Sequence, residues 1–331
     1  MKKYIFSIIT YCLVALPLFG GIKQPGPSIV FVHIGKEIPE YLETAIEQAR
    51  LFNDAEIILV GNEGAIKARP SLAKHLTVCV SCESLHKSKE HEELIQTAKL
   101  DRDFREGFWF CAVERFFYLQ DLINQHKLEH VIHLESDNML YADVFTLCPI
   151  FQKHYPHLGI TCDNNERCIP GFVYIAGAKS INHLAKFLVT QAKKGIPDME
   201  AIGAYYKKYG EPHAKLLPII MREYPESLGL KSAYGGKVKH RFSFCKHVDT
   251  FRAIFDAAAI GQFFGGIDPR NGPSRPGFIN ERCCFDPSRL KYTWRADNKG
   301  RQVPYATFRG CTCRINNLHI HSKQLDMFAS K

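Results

Sequence analysis

Beyond residue 27 the chain alternates short apolar runs with longer amphipathic ones. Residues 28–34 (Ser-Ile-Val-Phe-Val-His-Ile) form a compact apolar run that stops at Gly35, the pattern of a buried strand. Pro39 then opens a helical repeat, with Leu42, Ile46 and Ala49 on one face and Glu40, Glu43 and Glu47 elsewhere. Asn53-Asp54 closes it, and residues 55–60 give a second strand ending at Gly61-Asn62. This is a β-α-β unit of roughly thirty residues, the building block of a parallel sheet. Residues 76–80 predict a third strand, and the charged residues 90–103 predict a surface segment. Residues 105–127 predict a helix, in which Phe108, Trp109, Val113, Phe116, Phe117 and Leu119 cover so wide an arc that it must be largely buried.

The next apolar run carries the chemistry. Val131, Ile132 and Leu134 lead straight into Glu135-Ser136-Asp137. If the backbone stays extended past Leu134, residues two apart share a face and both carboxylates point the same way. In open α/β sheets ligands collect outside the carboxyl ends of the strands, and an acid-x-acid pair there can hold a hard divalent cation that in turn holds a diphosphate. The plainer reading is a polar strand end whose acids cap the following turn, and so short a motif does not choose between the two. Glu114 and Arg115 lie inside the greasy helix, where buried charges need partners. Arg115 either reaches a phosphate or the Glu135/Asp137 pair, or serves as a structural salt-bridge member.

Further along, residues 158–161 predict a strand, and Pro170-Gly171 a turn into a strand over 172–177. Helices are expected over 181–193, 198–209 and 214–223. Residues 231–247 are basic, and 255–268 read as a helix of small residues ending at Gly265-Gly266. A loop rich in glycine, proline and arginine follows from Pro269 to Gly277, a composition that marks function or disorder. Near the end, Leu318-His319-Ile320-His321-Ser322-Lys323 sets two histidines on one face of an extended segment, with a lysine behind them. A neutral imidazole is a good ligand for manganese or a similar metal, and a lysine can neutralise a diphosphate. An ordinary polar strand accounts for the same residues.

Composition narrows the setting. The chain has 331 residues, 46% hydrophobic and 23% charged, enough for a full globular core. Its net charge of +9 suits an anionic ligand or peripheral contact with a membrane surface. The basic residues are dispersed, with no arginine-rich block, which speaks against nucleic-acid binding. Lys2 and Lys3 precede an apolar segment over 4–18 that ends in Gly20 and Gly21, so residues 1–21 read as a signal peptide or short anchor and direct the chain to the secretory pathway or export. Of twelve cysteines, Cys12 falls in that segment. The remaining eleven include several closely spaced pairs, which suits disulfides in an oxidising compartment. A zinc site from Cys283, Cys284, Cys311 and Cys313 is disfavoured, because adjacent Cys-Cys and Cys-x-Cys are poor knuckle spacings. Cys79-x-x-Cys82 is a local disulfide or two free thiols. No Gly-x-Gly-x-x-Gly turn follows the first strand, which argues against a dinucleotide-dependent oxidoreductase.

Taken in order, these pieces resemble a glycosyltransferase of the GT-A type: the β-α-β start from Ile29 to Gly61, the buried helix carrying Arg115, the strand ending in Glu135-Ser136-Asp137, a middle segment with Gly171 and Gly177, and the His319-Ile320-His321-Ser322-Lys323 tail. The resemblance implies a mixed α/β fold with a Rossmann-related, mostly parallel central sheet flanked by helices, in one large domain over 28–331. Residues 28–145 would form the nucleotide-sugar half and 146–331 the acceptor half. It implies Mn2+ or Mg2+ held with the nucleotide diphosphate, Asp137 as the direct ligand, Glu135 on ribose or metal, and His319 or His321 completing the shell. Glutamate in the first acidic position departs from the commonest pattern and leaves the role of Glu135 open.

The chemistry then needs few parts. A nucleoside diphosphate leaves from a donor sugar, with Lys323 and Arg270 offsetting its charge, and a hydroxyl on a glycan, lipid or protein acceptor attacks. An inverting enzyme also needs a carboxylate base. Asp256 is the first candidate, with Asp268 and Asp198 behind it, and a helix-capping role explains Asp256 equally well. Two other functions stay in view. A metal-dependent nucleotidyltransferase would share the sheet and paired acids, although Gly35-Lys36-Glu37-Ile38-Pro39 does not supply its usual glycine-rich basic loop. A secreted, disulfide-stabilised binding protein would leave Asp137, His319 and His321 scattered.

Overall fold

The computed structural model describes residues 26–225 and 241–330. The signal-like segment 1–21 and residues 231–240 of the basic stretch lie outside the described residues. No helix among the described residues is long and apolar enough to cross a membrane.

The first β-α-β unit forms as expected: β1 (Ser28–His33), α1 (Glu40–Phe52) and β2 (Glu56–Gly61), with Pro39 at the N-cap and Asn53 at the C-cap of the helix. A short α2 (Glu63–Lys67) precedes β3 (Val78–Ser81). The charged segment expected at the surface contains a helix instead, α3 (Lys89–Thr97), capped by Ser88 and burying His91 and Leu94. One of its two buried residues is a histidine, so no apolar stripe announces it. The long helix α4 runs from Phe108 to His126. It starts at the first of its apolar residues and three later than the expected Arg105, because Arg105, Glu106 and Gly107 all have positive φ (50°, 58° and 84°), which a continuing helix does not allow.

Strand β4 (Val131–Leu134) is followed by β5 (Asn138–Leu140), α5 (Val144–His154), β6 (Leu158–Cys162) and β7 (Cys168–Ile175). Pro170 and Gly171 lie within β7 rather than in a turn before it. The β6–β7 register slips between Ile160 and Cys162, an irregularity that lets a proline sit in a strand. Helices α6 (Ala178–Ala192) and α7 (Asp198–Tyr209) match their patterns. The helix expected over 214–223 is wrong. Ala214–Leu216 is a strand, β8, pairing in parallel with Leu158–Ile160, and Pro218 lacks the N–H a helix needs there. Then come α8 (Arg241–Cys245), α9 (Val248–Phe251), β9 (Ala253–Ile254) and α10 (Ala259–Gly265). Strands β10 (Lys291–Ala296), β11 (Gln302–Phe308), β12 (Cys311–Ile315) and β13 (Asn317–His319) finish the chain.

The fold is mixed α/β around a seven-stranded sheet, ordered β3-β2-β1-β4-β7-β6-β8. All pairs are parallel except those of β7, which is antiparallel to β4 and β6. Strands β1, β2 and β4 are buried almost throughout, His133 of β4 included, as expected of central strands in a parallel sheet. The sheet draws strands from both sides of residue 145, a position inside α5. A second sheet has the order β10-β11-β12-β9, and β13 pairs antiparallel with β5.

One disulfide, Cys162–Cys168, links β6 to β7. Among the described residues the other closely spaced cysteines do not bridge: Cys283 and Cys284, and Cys311 and Cys313, are free, and of the two readings left open for Cys79 and Cys82 the structure shows two free thiols.

Candidate metal centre

Three side chains converge at the carboxyl end of β4. Among the described residues, the one group of at least three His, Cys, Asp or Glu side chains able to share an ion is Asp137, His319 and His321, whose ligand atoms all lie within 4.8 Å of one another. Backbone pairing explains how residues 182 positions apart meet. In the two-stranded β5–β13 sheet His319 faces Asn138, and Ile320 donates its N–H to the Asp137 carbonyl at 2.9 Å.

The two acids come together differently from the extended-strand expectation. The strand ends at Leu134, and Asn138 N–H bonds back to the Glu135 carbonyl at 3.0 Å in a tight turn. That turn aims both carboxylates at one ring nitrogen: His319 Nε2 lies 2.8 Å from Glu135 and 3.0 Å from Asp137. Lys323 is bonded to the other Asp137 oxygen. Arg115 pairs with Glu135 through one amino group and with Asp198 at 2.6 Å through the other. Of the partners weighed for Arg115, the structure shows the acid pair: it reaches Glu135, and it is a salt-bridge member at the same time through Asp198.

Electrostatics follows from this crowding. Burial alone would lower the His319 pKa, but the charges of Asp137 and Glu135 outweigh it and lift the imidazole to about 10. Burial and the adjacent charged His319 push His321 down to about 3. Burial would raise both acids, yet Lys323 and His319 hold Asp137 well below the carboxylate range, and Arg115 and His319 hold Glu135 below it. The pocket thus keeps two carboxylates ionised and one imidazole, His321, neutral.

The supporting shell is tight. Gly171 leaves the space that His319 occupies, because a β-carbon there would stand 2.5 Å from His319 Nδ1. Gly261 likewise lets α10 press against β13, where a β-carbon would stand 2.0 Å from the His319 carbonyl oxygen. Asp256 is 1% exposed, and its carboxylate accepts the N–H groups of Ile260, Gly261 and His319 at 2.8 to 3.0 Å. A carboxylate so enclosed anchors α10 to β13 and is not open to an acceptor hydroxyl, so its expected role as base gives way to the capping one. Asp268 lies nearer the rim, gripped by Arg270 at 2.6 Å and facing Arg105 at 3.7 Å. Burial opposes its charge, but the bonds to Arg270 prevail and lower its pKa, which makes it a weak base. Arg270 itself remains half exposed.

Gln262 and Tyr41 belong to the site without having been singled out in the sequence. Gln262 Nε2 is 2.7 Å from His321 Nδ1, while its Oε1 is buried with no partner. Exchanging the amide oxygen and nitrogen lets Gln262 Oε1 accept from His321 Nδ1–H, which leaves the lone pair on the imidazole Nε2 of His321 for a cation. Tyr41 lies under Lys323, whose ammonium is 5.2 Å from the ring centroid. Oxygen and imidazole donors of this kind suit Mn2+ or Mg2+, and an orphaned amide oxygen placed to orient one ligand fits the same use. The four cysteines weighed for zinc do not form a comparable group among the described residues.

No family model and no curated protein matches the chain. Among solved structures it is similar to mouse xyloside xylosyltransferase 1 in its apo form, with 12% identity and a TM-score of 0.43 over 58% of this chain and 85% of that one. It is also similar to the PaToxG glycosyltransferase, with 13% identity and a TM-score of 0.35 over 55% and 69% of the two chains. A third likeness is to a putative glucose-1-phosphate thymidylyltransferase from Bacillus anthracis, with 9% identity and a TM-score of 0.36 over 58% and 86%. Likenesses this distant decide neither family nor activity.

Proposed function

We propose that this protein is a metal-dependent glycosyltransferase that moves a sugar from a nucleoside-diphosphate sugar, uridine diphosphate sugars foremost, to a hydroxyl on a glycan, lipid or protein acceptor. The observation that carries this reading is the convergence of Asp137, His319 and His321 at the carboxyl end of the central sheet, flanked by Lys323 and Arg270. Asp137, His319 and His321 would hold Mn2+ or Mg2+, with Glu135 beside them. When bound, the cation would offset the charge growing on the departing diphosphate.

The chain's own residues do the rest. Arg115, braced by Asp198, fixes the Glu135 carboxylate in place. Asp256 fixes the backbone of His319. Lys323 brings a positive charge next to the ligand set, and Asp268 steadies Arg270 at the rim, where the outer phosphate would lie. In this reading residues 28–145 supply Glu135 and Asp137 as the nucleotide-sugar half. Residues 146–331 supply the histidines, Lys323 and the 266–277 loop as the acceptor half. Export through the secretory pathway, with residues 1–21 as signal peptide or anchor and a peripheral membrane contact, is supported by the sequence of that segment, the net charge of +9 and the Cys162–Cys168 disulfide.

The test is turnover of a panel of nucleotide sugars with manganese or with chelator, reading released nucleoside diphosphate. Manganese-dependent release is expected for at least one donor. A nucleotidyltransferase would instead release pyrophosphate from a nucleoside triphosphate and a sugar phosphate. Release that is insensitive to chelator, or unchanged by Asp137→Asn, refutes the proposal.

A further inference from the structure

A second constellation lies at the opposite end of the central sheet. Strands β4 and β6 run the same way, since each is antiparallel to β7, and β8 is parallel to β6. The metal centre is at the carboxyl end of β4. His157 and His213 stand immediately before β6 and β8, at the amino ends. Together with the start of α6 they line a cavity of about 310 Å³, a volume at the small end for ligand sites.

The lining carries two lysines, both exposed on α6, and contains no carboxylate. Three imidazoles stack in a row: His183 and His213 with centroids 4.2 Å apart and planes 16° apart, then His213 and His157 at 5.8 Å and 20°. Lys179 and Lys186 flank them from α6, and Lys208 from α7 adds to the charge felt by His183. Tyr205 and Tyr209, also on α7, complete the titratable groups facing the row. The acid nearest in sequence, Glu211, is engaged by Lys246 at 2.7 Å. Neutral donors are also in place. Asn182 Oδ1 accepts from Gln120 and Asn124 at 3.1 and 2.9 Å, which leaves its NH2 group to donate. His183 Nδ1 is held by the Tyr205 hydroxyl at 2.7 Å, and His157 Nδ1 by Ser180 at 3.3 Å.

Two other ligands could be asked to explain three histidines, and both fail here. A transition metal needs imidazole nitrogens converging on one point, whereas stacked rings present theirs side by side, and the flanking lysines repel a cation. A nucleic acid needs an extended basic surface, whereas this is a small, half-open pocket. A compact dianion meets every requirement: positive charge on several sides, N–H donors and no competing acid.

We propose that this cavity binds a phosphate monoester or free phosphate, and binds it more tightly as the histidine row becomes protonated. Burial, His213 and the neighbouring lysines lower the pKa of His157 and His183, so these two rings are largely neutral near neutral pH. A bound dianion reverses that repulsion, and acid favours the complex. The site is independent of the metal centre and stands or falls separately from it.

Isothermal titration of the full chain with inorganic phosphate, and in parallel with glucose 6-phosphate, tests the proposal at about pH 5.5 and about pH 8. Both probes lose their second charge in acid, a monoester with a pKa of about 6, so binding at least about ten-fold tighter at the acid pH, counted per dianion in solution, is expected for one or both. The double variant His183→Gln/His213→Gln should lose about ten-fold or more, and Lys186→Ala, at an exposed position, about three-fold. Tighter binding of the hexose phosphate would identify a monoester, and equal binding the free anion. No binding of either probe, binding that survives both variants, binding lost in Lys323→Ala but kept in the histidine variant, or zinc displacing phosphate would overturn it.

Discussion

His91 and His319 are both buried, and each lies between two carboxylates. In the first cluster each ring nitrogen takes its own acid: Nδ1 meets Asp121 at 2.5 Å and Nε2 meets Glu114 at 3.3 Å. Phe117 and Tyr118 pack against the ring, and the cluster joins α3 to α4. In the second cluster both acids converge on Nε2, a second imidazole stands 4.4 Å away, and Lys323 and Arg115 balance the charge. The same residue types thus make a strut in one place and a candidate metal centre in the other. What separates them is whether the donors share a focal point. A hydrogen-bonded histidine satisfies its two nitrogens on opposite edges of the ring, whereas a cation requires several donors around one position.

The contrast is open to direct attack. The largest expected effect is a loss of about 10²–10³-fold in metal-dependent turnover for Asp137→Asn, with the fold retained, as read by kinetics and circular dichroism. The matching change Asp121→Asn should leave turnover per folded molecule unchanged and lower unfolding stability by about 3 kcal/mol, measured by urea titration, because it strands a charged group in the core. If Asp121→Asn abolished turnover while Asp137→Asn only destabilised the chain, the assignment of strut and site would be reversed. Next in size, Gln262→Leu should weaken manganese binding by about 10–100-fold with little change in stability, since it removes the partner that orients His321. Unaltered affinity would detach Gln262 from the site.

The smallest effect concerns pH. Burial alone would lower His91, but its bonds to Asp121 and Glu114 outweigh that and raise its pKa above the ordinary histidine value. A group whose folded pKa is raised contributes stability that is complete below its unfolded pKa of about 6.5 and fades as pH climbs through the folded value. The stability gap between wild type and His91→Gln should therefore be widest in mild acid and narrow toward alkaline pH. A gap that widened with pH would mean that the imidazole is neutral in the fold.

Parts of this were legible in the residues alone. The β-α-β opening, the buried α4 and both faces of Glu135-Ser136-Asp137 and His319-Ile320-His321 stood out because each is a local pattern. Of the His91 cluster only Glu114 stood out, as a buried charge in need of a partner, because His91 comes from another helix and its meeting with Glu114 and Asp121 has no local signature. Gln262 was hidden in a run of small residues, and Tyr41 in an ordinary amphipathic helix. Residues 214–223 misled because a three-residue edge strand is too short to display a period of two against a helical background.

By itself the sequence determined which segments are apolar enough to be central strands and which side chains could bind a hard cation or a diphosphate. Burial follows from hydrophobic period, and ligand type from side-chain chemistry, and both are properties of neighbouring residues. Only the tertiary structure decided that a turn after Leu134, rather than continued strand, aims Glu135 and Asp137 at His319. It also decided that Arg115 is spent on Glu135 and Asp198, and that Asp256 anchors a backbone instead of meeting an acceptor. Those outcomes depend on which charges are brought face to face by β5 pairing with β13, and long-range pairing of that kind has no signature in local sequence.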